Sequence, residues 1–202
     1  MGNSPQSQSQ PARGGRCFRA SRALRIGRLL LLWGCLMRLG LPAEAQSPLS
    51  EYQVKALFLF NFAKYVEWPA NTFGATNSPI TIGIVGGGPC LEPLQKTIEG
   101  KLVSEHPILI RQLDKIENLN KCQILFIGIS EKKRMGEILD QVRNTPVLTV
   151  SEVEQFAGQG GMIGFVKKDG KVRLEINLKA ARQAKLEISS KLLGVADNVI
   201  GK

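Results

Sequence analysis

Histidine is nearly absent from this chain: its 202 residues contain one, His106. A single imidazole cannot build the multi-histidine sites that hold catalytic zinc. No G-K-[ST] motif occurs, and no serine stands at the centre of G-x-S-x-G, so neither a phosphate-cradling P-loop nor a hydrolase nucleophile elbow is present. There is no apolar run of the roughly 20 residues needed to span a bilayer. Aspartate and glutamate fall singly among polar positions, without a paired-carboxylate pattern. These absences argue against an enzyme and lead us to expect no catalytic residues, no metal and no cofactor.

What is present begins with a targeting signal. The first 28 residues hold six arginines and no acid, and an apolar run from Leu29 to Leu41 follows, interrupted by Arg38. Ala43-Glu44-Ala45 then places small residues at alternate positions, as signal peptidase requires. Residues 1–45 are therefore expected to be a signal peptide cleaved after Ala45, and residues 46–202 the mature, exported α/β domain. Removing the leader changes the charge argument. The whole chain carries +10, but residues 46–202 carry 20 basic against 16 acidic side chains, or +4. Most of the basic excess belongs to targeting, and nucleic acid is not an expected partner.

The mature chain alternates helix and strand. Ser50 caps a helix to about Val66, with Gln53 placed to complete a capping box, and Trp68-Pro69 ends it. Strands follow at Ile80–Val85, Pro107–Leu113, Gln123–Ile129 and Pro146–Val150, with helices at Leu91–Ile98, from Ser130 to Arg143, and at Ser151–Phe156. Met162–Val166 and Val172–Ile176 flank Asp169-Gly170, a hairpin turn. Two helices, Leu178–Lys185 and Ser189–Val199, close the chain. The expected fold is one three-layer-like α/β domain, a mixed sheet flanked by helices with a hairpin near the C-terminus.

Few features suggest chemistry. Gly86-Gly87-Gly88 after a strand resembles the start of a dinucleotide site, but Pro89 removes a donor and Leu91 stands where a third glycine belongs. Lys167, Lys168, Lys171 and Arg173 around the hairpin read as a solvated face or an anion site. Cys90 and Cys122 survive maturation. Two exported cysteines suggest a disulfide, or Cys90 could pair with His106 as a nucleophile. If Ile80–Val85 and Gln123–Ile129 run parallel, the cysteines lie roughly 15 to 20 Å apart, too far for a bridge. The first helix is apolar around most of its circumference, and the last carries Leu192, Leu193, Ala196 and Val199 on one stripe. Those surfaces either pack on the sheet or form an interface, with Phe60 and Leu193 as its candidate residues, toward a second copy or another protein.

Three blocks carry a family resemblance: Val54-Lys55-Ala56-Leu57-Phe58-Leu59-Phe60-Asn61-Phe62-Ala63-Lys64-Tyr65-Val66-Glu67-Trp68-Pro69, then Cys122-Gln123-Ile124-Leu125-Phe126-Ile127-Gly128, then Gly160-Gly161-Met162-Ile163 with Glu175-Ile176-Asn177-Leu178 and Ile188-Ser189-Ser190-Lys191-Leu192-Leu193. In this order they resemble the YfiR family of periplasmic proteins. The resemblance implies a periplasmic regulator that represses an inner-membrane diguanylate cyclase through its periplasmic sensor portion, so controlling cyclic di-GMP and biofilm. It implies no catalytic residues. Cys122 matches a family cysteine, but the usual partner's strand has Gly83 here, and Phe156–Phe165 lacks the cysteines of a second family bridge. Redox control is therefore not implied for this chain. The alternative is a periplasmic receptor with a small-ligand cleft beside Gly86–Pro89, at the carboxyl end of a strand. For export, mass spectrometry of the periplasmic protein is expected to show an N-terminus at Gln46, and retention of residues 20–40 would contradict this.

Overall fold

A computed structural model describes residues 49–74, 77–113 and 118–201; the leader and its cleavage position lie outside them. Ser50 starts helix α1 (Glu51–Tyr65) through the expected capping box: its Oγ accepts from the Gln53 amide at 3.3 Å, and its amide donates to Gln53 Oε1 at 2.7 Å. Strand β1 (Val66–Glu67) follows at once. Leu59 and Phe62 are fully buried, and the Phe62 ring lies 6.1 Å from Phe165, with Phe126 a further 6.4 Å from Phe165. These rings fasten α1 to the sheet, and Phe62→Ala would cost about 3 to 5 kcal/mol.

Ile80–Val85 (β2) and Leu91–Ile98 (α2) take the expected bounds. The remaining strands are β3 (Leu102–Val103), β4 (His106–Leu113), β5 (Ile124–Ile127), β6 (Leu148–Ser151), β7 (Ile163–Lys168), β8 (Lys171–Asn177), β9 (Glu187–Ile188) and β10 (Asn198–Ile200); the remaining helices are α3 (Met135–Gln141), α4 (Leu178–Gln183) and α5 (Ser190–Leu193). The main sheet has the order β10-β8-β7-β6-β5-β2-β4-β3, while β1 and β9 pair separately and antiparallel. Within it β4, β2, β5, β6 and β7 run parallel and β8 turns back antiparallel through the hairpin. Asp169 (φ 51°) and Gly170 (φ 72°) both adopt the left-handed region that a type I′ turn demands. One core lies beneath α1, α2, α4 and α5, around Ile82, Ile84 and Phe126; a second lies beneath α3, around Leu125, Ile127 and Phe156. The α/β architecture with a mixed sheet is as read from the sequence.

Three expected helices differ. Ser130 does not cap one; its hydroxyl donates to Gly86 O at 2.8 Å, and Ile129–Arg134 forms a 3-10 turn before α3. Ser151 ends β6, donating to Ile127 O at 2.8 Å and accepting from the Val153 amide at 3.1 Å, and a turn replaces the helix at 151–156. The last helix stops at Leu193, and Asn198–Ile200 instead pairs parallel with Glu175–Asn177. That strand satisfies the β8 edge, a demand that the apolar spacing of Leu192 to Val199 does not reveal.

The cysteine bridge is absent as well: both thiols are free and buried. Because β2 and β5 are parallel, Cys90 follows the exit of one strand and Cys122 precedes the start of the other. Their side chains also fall in different cores, Cys90 with α2 and Cys122 with α3, on opposite faces of the sheet. Burial pushes the thiols up, to about 11 for Cys90 and about 12 for Cys122, so neither is a ready thiolate.

Candidate functional site

Parallel strands whose crossovers lie on both faces usually open a crevice at their carboxyl ends, where neighbouring strands lead to opposite sides. Here β2 and β5 diverge at that point, followed by Gly86–Gly88 and by Gly128–Glu131. At Gly86 the two loops are in contact. Gly128 N donates to Val85 O at 2.9 Å, Ser130 ties down Gly86 O, and a Cβ on Gly86 (φ +85°) would lie 2.6 Å from both Glu131 Cγ and Ser130 Oγ. Gly86 and Gly128 serve close approach of the two loops, whereas Gly87 and Gly88 border open space, with no atom closer than 3.9 Å to an added Cβ.

One strand further along, at the carboxyl end of β6, a cleft of about 520 Å³ opens between the start of α1, residues 152–155 and the hairpin. Its wall is an ion-pair chain. Lys55, only 4% exposed, donates to Glu51 Oε1 and Glu152 Oε2, each at 2.6 Å, and Lys167 donates to the other oxygen of Glu51 at 3.0 Å. The Tyr52 ring lies 4.6 Å from the Lys55 ammonium. Burial opposes the Lys55 charge, yet hydrogen bonds to Glu152 and Glu51 outweigh it and raise its pKa. The Glu51 carboxyl is held below its ordinary range by its hydrogen bonds to Lys55 and then Lys167. Burial, followed by the charge of Glu152, pushes the Tyr52 phenol up. The sequence marks Lys55 only as one charge on an apolar helix; Glu51 four residues earlier was the available signal of a buried pair.

The residues singled out from sequence do not converge. Phe60 is 7% exposed, with the ammonium groups of Lys64 and Lys101 at 4.5 and 4.9 Å from its ring. Leu193 is partly buried against the core beneath α1. His106 starts β4 while Cys90 follows β2, so they stand at opposite ends of parallel strands, about 20 Å long, and form no nucleophilic pair. The His106 ring donates from Nδ1 to Ser78 O at 2.6 Å and stacks on Phe73 at 4.6 Å. In the basic turn, Lys167 pairs with Glu51 and Lys168 with Asp197, both at 3.0 Å. Among the described residues no group of three or more His, Cys, Asp or Glu could hold a metal ion, and no helix is long and apolar enough to cross a membrane.

The network has a measurable signature. Glu152→Gln leaves the buried Lys55 with Glu51 alone of its two carboxylate partners, so it is expected to cost about 1 to 3 kcal/mol in urea denaturation, and adding Lys55→Met is expected to recover most of it. The depressed Glu51 contributes stability that is present above its reference value of 4.5 and is lost as pH falls through its folded pKa. The raised Lys55 contributes stability that is present below 10.5 and is lost as pH climbs through its folded pKa. A neutral Glu152→Gln variant would contradict the network's role.

Comparison with one solved structure shows a likeness in fold. A conserved domain protein from Vibrio cholerae O1 biovar El Tor superposes with a TM-score of 0.50 at 13% identity, covering 76% of this chain and 61% of that one. An ABC domain in complex with L-Trp from Streptococcus pneumonia gives a TM-score of 0.46 at 14% identity, covering 74% and 60%. The chain thus spans about three fifths of the length of either protein. No curated protein matches its sequence. Residues 52–197, which run from the first turn of α1 to the residue before β10, match the YfiR/HmsC-like family, and the chain belongs to that family.

Proposed function

We propose that this chain is an exported regulator that works in the periplasm, where it binds the outer portion of a membrane protein, a diguanylate cyclase, and represses it. The observation that carries this reading is the YfiR/HmsC-like match over residues 52–197, which takes in nearly the whole described domain. The chemistry of the domain agrees with action by contact. Its cysteines are buried with raised pKa values, its histidine is bonded to Ser78 O, and its most buried lysine is neutralised by two carboxylates. Repression then consists of stabilising one conformation of the partner, which requires only that the regulator bind that conformation more tightly.

A second reading follows from the cleft beside Lys55 and Glu152. Its about 520 Å³ is within the range of small-molecule sites, and both signs of charge with Tyr52 and Phe165 line it. A periplasmic small-ligand receptor would use it, and in a regulator the same cleft would let a ligand adjust repression.

Deleting the gene is expected to raise cellular cyclic di-GMP several-fold and to increase biofilm, and complementation with the intact gene to reverse both. Complementation by a version lacking residues 1–45 is expected to fail, because the protein would remain in the wrong compartment. Unchanged cyclic di-GMP in the deletion strain would overturn the cyclase reading. For the second reading, a thermal-shift screen with metabolites is expected to give a rise in melting temperature that Lys55→Met abolishes.

A further inference from the structure

We infer that the open edge of β4 is a docking strand, and that it receives an extended strand of a protein partner bearing an acidic side chain opposite Arg111. The inference rests on the reading that this chain acts by protein contact, and it names the surface. Strand β4 pairs with β2 along Ile108–Leu113, but on its other side β3 reaches only His106 and Pro107. Among the described residues no strand pairs with the outer side of Ile108–Leu113, so alternate N–H and C=O groups there face outward. An uncapped edge of this length is a template for strand addition, and folded proteins ordinarily blunt such edges with lysine, proline or a bulge. This segment, Ile-Leu-Ile-Arg-Gln-Leu, has no proline and a single charge.

A side-chain observation points to the same place. The register puts Leu102 beside Pro107, and Leu109, Arg111 and Leu113 continue along the same face. Leu102 is 60% and Leu109 42% exposed, both large apolar side chains left in water. Leu113 is tucked over Gly83, where an added Cβ would meet its Cδ1 at 2.9 Å, so the strip is anchored at that end. Arg111 is exposed and makes no ion pair among the described residues. An incoming strand would therefore gain backbone hydrogen bonds along the edge, apolar contact with Leu109, and a charge pair at Arg111.

Charge complementarity distinguishes the occupant. A second copy pairing through its own β4 would bring Ile108–Leu113, which contains no acid and cannot neutralise Arg111. A two-fold centred on Arg111 would set two guanidinium groups opposite each other, and one centred on Ile110 would leave each Arg111 facing Leu109. An apolar–acidic–apolar strand from another protein fits better.

The probe is a capped peptide, TVTETVT, compared with TVTKTVT, added to the isotope-labelled chain while backbone amide shifts are followed by NMR. The acidic peptide is expected to shift Ile108–Leu113 and to bind at least tenfold more tightly than the basic one. In the Arg111→Glu variant the preference is expected to reverse, and an unchanged thermal melt is expected to show that the variant folds. Absence of shifts, shifts elsewhere, or equal binding of both peptides would overturn the inference. Self-association of the free chain through the same amides would overturn it in favour of a second copy. Because peptide capture needs no cyclase, it can fail while cyclic di-GMP control stands, and can succeed where that control fails.

Discussion

The arrangement depends on one packing contact, the laying of α1 across the parallel sheet. The central parallel strands β2, β5 and β6 are buried on both faces and must be covered on both, and the core on the face carrying Ile82, Ile84 and Phe126 is the larger. Helix α1 covers its centre and is fixed at each end by polar contacts. Near its start Lys55 reaches Glu152 beyond β6; just past its end Val66 pairs with Ile188, and Trp68 Nε1 donates to Gln123 O at 3.3 Å. Between these ties, the Phe58, Phe62, Phe165 and Phe126 rings lie in successive contact. The aromatic burial supplies stability, and the end contacts set the direction in which the helix crosses.

The same contact accounts for part of the surface that the domain covers. Phe60 is covered by Lys64 and Lys101, and much of the apolar circumference of α1 goes into packing, while Leu57 stays 37% exposed. At the exit of β2 the loop after β5 packs on Gly86, and a cleft opens at the carboxyl end of β6, beside Lys55. On the opposite flank the sheet ends in a strand that β3 covers only at its start.

Much of this was legible in the residues because local signals agreed with the global fold. The Ser50–Gln53 box, the Asp169-Gly170 turn and the apolar run of β2 each encode one conformation, and each is found. What was not legible depended on partners distant in sequence. Leu192, Leu193, Ala196 and Val199 have helical spacing, yet Gly194 weakens a helix there and the bare edge of β8 rewards a strand at Asn198–Ile200. Ser130 and Ser151 are helix-capping residue types whose hydroxyls found carbonyls across the sheet ends. Nothing local to Lys55 announces Glu152, its partner 97 residues away. The even cysteine count suggested a bridge that parallel pairing of β2 and β5 forbids.

The central claim is that the folded domain, acting from outside the cytoplasm, lowers cyclase output by contact. The most direct test adds purified residues 46–202 to the medium of spheroplasts from cells lacking the gene and measures cyclic di-GMP over time. The account predicts a saturable fall toward the level of cells that carry the gene, with no change when the added protein is first unfolded. Undiminished cyclic di-GMP at saturating protein that is demonstrably bound to the spheroplast surface would contradict it.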